Sequence, residues 1–266
     1  MENKKKTLMI TGASGFIGTN FIEKYKEKYN IIPVDLLKIK PEDLDFKDVD
    51  TVLHLAALVH QMNGAPREKY FEVNTELTKK VVEAAKKNKV KHFVFYSTVA
   101  VYGTHGSLKE KLVLTKDSKV NPKTPYAESK WKAEEILRAL ENENFKVSIL
   151  RPPMVYGENC PGNMKKLEKI VKIFPILPFG NDENKRTLVH INKLLEITKE
   201  VIDKEISGIT IPKDDEDMSI KEIVENIAKE KNKKICLIKL SKFILKILYI
   251  MKSSTIESLY GELIFK

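Results

Sequence analysis

"TLMITGASGFIGTN", residues 7–20, sets a short apolar run against three glycines and then an apolar helical pattern. Thr7–Thr11 reads as a buried strand, and Gly12, Gly15 and Gly18 follow it in a GxxGxxG array. Phe16 and Ile17 open a helix that runs to about Tyr29. In such an array the first glycine permits a tight turn, the second lets the backbone approach a pyrophosphate, and the third lets helix and strand pack closely. The helix start then offers unpaired backbone N–H groups to the phosphates. Three glycines alone are weak evidence, but the next strand, "NIIPVD" (30–35), ends in Asp35. A carboxylate there accepts hydrogen bonds from an adenosine ribose and repels a 2′-phosphate. The pattern therefore predicts a dinucleotide site that prefers NAD to NADP, with Lys38 the nearby charge opposing that preference. A turn serving packing alone leaves Asp35 unexplained.

Outward from this turn, strands and helices alternate. "DTVLHLAA" (50–57) reads as a strand, "NTELTKKVVEAAKK" (74–87) as a helix and "KHFVFYST" (91–98) as another strand. Tyr126 opens a helix with Ala133, Ile136, Leu137 and Leu140 on one side, and "FKVSILRPP" (145–153) ends a further strand at two prolines. This order predicts the α/β class, with a doubly wound parallel sheet whose ligands sit at the carboxyl ends of the strands. The expected division is a dinucleotide-binding domain over 1–153, with 184–202 returning to it, and a smaller substrate-binding lobe over 154–266. "FPILPFG" (174–180) and "GITIP" (208–212) read as pieces of that lobe. The closing "LSKFILKILYIMK" (240–252) is apolar with lysines interspersed. It reads as a helix packed on the lobe in preference to one lying on a membrane surface.

The 266 residues are 42% hydrophobic and 32% charged, which suits a folded globular chain. The formal net charge of +10 is mostly lysine spread along the chain, with arginine only at Arg67, Arg138, Arg151 and Arg186. Without a basic block or aromatic–basic interleaving, nucleic acid is not an expected partner, although the charge favours a phosphorylated substrate. Cys160 and Cys236 match neither a disulfide framework nor a zinc site, and a reducing cytoplasm is the expected setting. The lysines at the start precede only "LMI", too short for an export signal, and no apolar stretch reaches the roughly 18 residues of a transmembrane span. His54 and His60 lack a matching carboxylate or cysteine cluster and read as structural, with no metal expected.

"YAESK" puts Tyr126 and Lys130 four positions apart. On a helix this brings Cβ atoms within about 5–6 Å, so the ammonium is expected to lower the phenol pKa from its usual value near 10. A tyrosine so tuned exchanges a proton with a reacting hydroxyl or ketone. Taken together, "TGASGFIG", "DTVLHLAA", "YSTVAVYG", "YAESK" and "LRPPMVYG" resemble the extended short-chain dehydrogenase/reductase family, in its nucleotide-sugar epimerase/dehydratase branch. The resemblance implies a Rossmann-type fold and an NAD-dependent 4-epimerase or keto-sugar reductase acting on a nucleoside-diphosphate sugar, UDP-linked by expectation.

The same resemblance assigns roles residue by residue. Thr98 aligns the reacting oxygen, while its neighbour Ser97 turns the other way by strand alternation. Tyr126 handles the proton, and Lys130 also bonds the nicotinamide ribose. Leu55, Ala56 and Ala57 run beneath the pyrophosphate and ribose, and Asn74 and Pro152 are further cofactor contacts. Asn163 and Arg186 are expected at the substrate phosphates. Dehydratases of the branch carry an Asp–Glu pair after the threonine, where this chain has Val99 and Ala100, so dehydration is not expected. The chain stops at "LYGELIFK", where relatives continue for roughly one more helical unit, and substrate contacts from such a tail are not expected. Homodimerisation through the helices at 74–87 and 126–140 is likewise implied by resemblance. The competing expectation is a non-catalytic NAD-binding sensor or scaffold.

Overall fold

The computed structural model describes residues 5–59, 64–251 and 253–266, so His60 lies outside the described residues. Two compact units emerge, each assembled from three stretches of chain. The first comprises residues up to Gly103, Lys119–Pro152 and Ile191–Pro212.

The first unit is built on six strands: β1 (Thr7–Thr11), β2 (Asn30–Val34), β3 (Thr51–His54), β4 (His92–Tyr96), β6 (Lys146–Leu150) and β11 (Gly208–Thr210). All pairings are parallel and the order is β2-β1-β3-β4-β6-β11. β1, β3 and β4 are buried at every residue, as expected where helices cover both faces of a sheet. Their apolar runs meet the faces of two helices, α3 (Leu77–Lys87) and α4 (Pro125–Leu140). Val81, Val82 and Ala85 from α3 join Ala133 and Leu137 from α4 in one core with Val52, Phe93, Phe95 and Val147. After β2 the chain crosses to the far side of β1 to form β3. The order therefore reverses between β1 and β3, the position where open sheets of this kind bind ligands.

Three features depart from the sequence expectation. "GITIP" does not join the smaller lobe, because β11 pairs with β6 at the sheet edge, Gly208 to Ser148 and Thr210 to Leu150. The helix α6 (Ile191–Lys204) leads into it, burying Leu194, Leu195, Val201 and Ile202. Its apolar stripe needs a sheet face to cover, which brings the following strand back with it. The helix expected from residue 74 begins earlier, as α2 (Arg67–Phe71), and reaches α3 through a π-helical turn at Glu72–Glu76. Finally, residues 104–118 belong to the second unit.

That second unit joins Thr104–Ser118 to Pro153–His190 and Lys213–Lys266. Its strands pair in twos: β5 (Val113–Leu114) with β14 (Ile264–Phe265), and β7 (Met154–Tyr156) with β10 (Leu188–His190). β8 (Ile176–Leu177) pairs with β13 (Cys236–Leu237), and β9 (Lys185–Arg186) runs antiparallel to β12 (Met218–Ser219). The helices are α5 (Asn163–Ile173), α7 (Ile220–Glu230), α8 (Lys242–Met251) and α9 (Ser253–Tyr260). Ser219 and Glu222 close a capping box at the start of α7. The chain near Gly106 is drawn into this unit because the 107/262 bridge and the β5–β14 pair tie it to the last residues.

Gly103 ends the 3₁₀ turn Val99–Tyr102 with φ +71°. A Cβ there would lie 1.7 Å from the carbonyl oxygen of Asn121. Gly103→Ala combines left-handed strain with a backbone clash and should cost on the order of 2–3 kcal/mol, read as a lowered urea midpoint.

Candidate active site

The glycine turn is shaped by backbone contact. Gly12 has φ +69°, and a Cβ there would come within 2.6 Å of the Ala56 nitrogen. At Gly18 a Cβ would lie 2.6 Å from the Gly12 oxygen. Gly15 is looser, with the Gly12 oxygen at 3.2 Å as its nearest obstacle. The first and third glycines thus let chain segments touch, while the second is less tightly confined. Helix α1 (Phe16–Tyr25) starts there without a side-chain cap, which leaves its first-turn N–H groups without a capping side chain and suits an anion. Beside it lies a cavity of about 450 Å³ lined by Gly12, Ser14, Asp35, Leu37, Ala56 and Ala57. Asp35 keeps a half-exposed carboxylate there, bonded to the Leu37 N–H and 3.8 Å from Lys38. An open backbone cradle, an uncapped helix start and a carboxylate at the strand end fit a dinucleotide.

Leu55 follows β3 and donates its N–H to the Thr11 carbonyl at 3.1 Å, which extends the strand pairing to the crevice. His54 is structural: its ring bridges Thr11 and Thr78 at 2.8 and 3.0 Å, and burial pushes its pKa down to about 3.

Where β4 ends, alternation separates two hydroxyls. Ser97 is buried and donates to Glu134, whereas Thr98 caps the 3₁₀ turn by accepting from the Ala100 N–H at 3.1 Å. Tyr126 is placed close to Thr98, whose hydroxyl works to lower the phenol pKa. α4 brings the tyrosine there because Thr124 caps it, accepting from the Ala127 N–H, and Pro125 stands at its first position. One turn on, Lys130 is 2% exposed, its ammonium 3.9 Å from the centroid of the Phe95 ring. The Val99 N–H donates to the carbonyl of Pro152, which brings the end of β6 beside the same turn.

The electrostatics differ from the expectation for the pair. Burial pushes the Tyr126 hydroxyl up to about 12, with the Thr98 hydroxyl opposing it. Burial pulls the Lys130 ammonium down to about 7, with Glu134 opposing it. Both groups lose water, and each therefore favours its neutral form. In the free chain Tyr126 is an acid held in reserve rather than a phenol already lowered by Lys130.

Beneath the pair lies a network that the sequence reading missed. Arg151 grips Glu134 with two parallel bonds, Nε to Oε1 at 3.0 Å and Nη2 to Oε2 at 2.6 Å, and donates from Nη1 to the Tyr102 hydroxyl at 2.7 Å. Both charges are almost wholly buried, at 1% and 0% exposure. The clue was present: Glu134 stands four residues after Lys130, next to Ala133 within the buried stripe of α4.

Two expected ligand contacts are engaged by protein groups. The Asn74 amide is engaged by protein, accepting from the Leu58 N–H at 2.7 Å and donating to the Leu58 carbonyl and Ser129 hydroxyl, both at 3.0 Å. It shapes the loop after β3 from the π-helical turn, and its own amide protons are taken. Arg186, on β9, directs its guanidinium to carbonyl oxygens of Glu257, Ser258 and Gly261 at 2.8, 2.6 and 3.3 Å, and of His105 at 2.8 Å. The last carbonyls of a helix have no partner within it, and here Arg186 serves those at the end of α9. Asn163 is exposed as the first residue of α5.

Comparison with known proteins follows the same lines. Residues 8–210 match the NAD dependent epimerase/dehydratase family, and the chain belongs to it. It is 32% identical over 248 residues to a UDP-glucose 4-epimerase of Vibrio cholerae, covering 84% of this chain and 75% of that one. It is 29% identical, also over 248 residues, to N-acetyl-alpha-D-glucosaminyl-diphospho-ditrans,octacis-undecaprenol 4-epimerase of Escherichia coli O157:H7, covering 86% and 73%. In fold it resembles the crystal structure of UDP-glucuronic acid 4-epimerase from Bacillus cereus in complex with NAD, with a TM-score of 0.74 at 19% identity over 98% and 89% of the two chains.

Removing one member of the buried pair strands the other. Glu134→Ala or Arg151→Met should each cost about 3–5 kcal/mol, whereas the apolar double variant should recover part of that loss in denaturant unfolding. Lys130 leads to a pH prediction. Its pKa is about 7 folded against the ordinary 10.5, so between these values the unfolded chain binds more protons and stability rises with pH. The penalty is fully present below about pH 7. Between about pH 7 and 9, Lys130→Met should lack a rise on the order of 2 kcal/mol that the parent shows in urea titrations.

Proposed function

We propose that this chain is an NAD-dependent 4-epimerase of a UDP-linked hexose, with reduction of a 4-keto-sugar by the same residues as the neighbouring possibility. The observation that carries this reading is Tyr126 beside Thr98 with buried Lys130 one helical turn away, in the unit that also holds the glycine turn. A bound NAD supplies the hydride acceptor and donor. Thr98 holds the sugar oxygen, and Tyr126 takes its proton as the carbon is oxidised and returns it when the ketone is reduced on its other face. Lys130, whose charge burial disfavours, regains it when a ribose hydroxyl accepts from the ammonium, and a charged lysine one turn away draws the Tyr126 pKa down towards use. Asp35 supports NAD over NADP.

Epimerisation is favoured over reduction because both named relatives are 4-epimerases. Dehydration is disfavoured because Val99 and Ala100, which follow Thr98, cannot move a proton. A cytoplasmic homodimer remains the accompanying expectation.

A second reading places the sugar on a polyprenyl diphosphate. The Escherichia coli relative is named for such a substrate, and the Arg186 guanidinium is occupied by backbone carbonyls, which weakens the case for a nucleotide diphosphate contact there.

The test is conversion without added cofactor. UDP-galactose or UDP-N-acetylgalactosamine should yield its 4-epimer with no net change in NADH absorbance. Activity on a keto-sugar alone, and only with added NADH, would instead make the protein a reductase. Conversion of undecaprenyl-diphospho-N-acetylglucosamine but of no UDP-sugar would select the second reading. Tyr126→Phe should abolish turnover, at least about a 10³-fold loss, while leaving NAD-induced thermal stabilisation nearly intact. A non-catalytic sensor would show the stabilisation and no conversion with either protein.

A further inference from the structure

Helix α8 presents its apolar stripe to solvent. Among its residues only Leu245 is buried, whereas Phe243, Ile250 and Met251 are 73%, 80% and 75% exposed, and Ile244 and Ile247 are open as well. At ~100° per residue these five side chains share one arc of roughly 120°, with Lys246 about 40° and Lys242 about 80° beyond the same edge. This reverses the pattern of a helix on a globular surface, where the apolar arc faces inward.

Further exposed apolar side chains and lysines occur in the same unit. α8 follows β13, which pairs with β8, and β8 follows α5; this run of chain carries exposed Ile173, Phe174, Ile176 and Ile238. The Lys233 ammonium donates to the carbonyl of Lys172, joining the approach to β13 to the end of α5. Residues 231–252 contain seven lysines and no aspartate or glutamate. Among the described residues no helix is long and apolar enough to cross a membrane.

We propose that α8 docks on an anionic phospholipid bilayer. The helix lies in the interface plane, its apolar arc at the boundary between headgroups and acyl chains and its lysines among the phosphates. Charge decides against a second copy of the chain as the occupant. Lys239 is already paired with Asp182 and Glu183. Pairing two such stripes would, however, bring together Lys242 and Lys246 of both copies, whereas an anionic surface answers both the stripe and these lysines. The inference is independent of the sugar chemistry, because the bilayer is recognised whatever carries the sugar.

The experiment is sedimentation of the full-length protein with vesicles of phosphatidylcholine alone, or with about a third phosphatidylglycerol, at ~0.15 M salt. Retention is expected on the anionic vesicles only, and it should weaken as salt rises. The triple substitution Phe243→Ser, Ile247→Ser and Ile250→Ser, and separately Lys242→Glu with Lys246→Glu, should each lower vesicle affinity at least about tenfold. Neither change should alter thermal unfolding or turnover of a water-soluble substrate, since these side chains are exposed. Absence of retention on anionic vesicles, equal retention on neutral ones, or unaltered affinity in both variants overturns the proposal. A concentration-dependent dimer that the triple substitution dissociates, with no vesicle retention, would assign the stripe to a second copy and overturn it equally.

Discussion

The paired bonds between Arg151 and Glu134 hold the reactive end of the first unit together. Glu134 is two turns along α4 from Tyr126, and Arg151 is the residue that follows β6. The same carboxylate takes the Ser97 hydroxyl from the end of β4, and the same guanidinium takes the Tyr102 hydroxyl from the 3₁₀ turn. Thr98 lies between those two anchors. Ordering the helix, the strand end and the turn against one another through a fully desolvated pair leaves little freedom for Thr98 to move relative to Tyr126. Such a pair adds little net stability over an apolar replacement, and its value here lies in geometry.

Burial also explains why Tyr126 and Lys130 depart in opposite directions from their ordinary acidities. A spacing argument brings an ammonium near a phenol and expects attraction to dominate. Lys130 instead rests against the Phe95 ring, out of water, with Glu134 its stabilising charge. Desolvation outweighs the attraction between the two, so the free protein keeps the tyrosine protonated and the lysine near neutrality.

Much of the first unit was legible from residue pattern. The strands at 7–11, 30–34, 51–54, 92–96 and 146–150 appear as short apolar runs, and Gly12, Gly15 and Gly18 mark the turn between β1 and α1. β11 was not legible because "GITIP" is too short to declare its partner; only α6 returning to the sheet supplies one. Asn74 and Arg186 were expected at cofactor and substrate, yet in this structure their partners are Leu58, Ser129 and the carbonyls at the end of α9. A polar side chain in a motif reports that it is needed, and its partner depends on chain segments distant in sequence. Glu134 was overlooked because a carboxylate in an apolar stripe looks like a breach of the pattern until Arg151 is seen opposite.

The sequence by itself determined the class of sheet, the glycine turn with its acid at Asp35, and the Tyr126–Lys130 spacing on one helix. All of these follow from local periodicity and from the conformational freedom of glycine, which act over a few residues. Tertiary structure alone decided that Ser97 faces Glu134 while Thr98 faces Tyr126, that Lys130 loses its water, and that Arg186 closes the end of a helix. It also decided that the stripe of α8 faces outward. Each of these depends on which distant groups exclude water or supply a hydrogen-bond partner, and a linear pattern does not specify those groups.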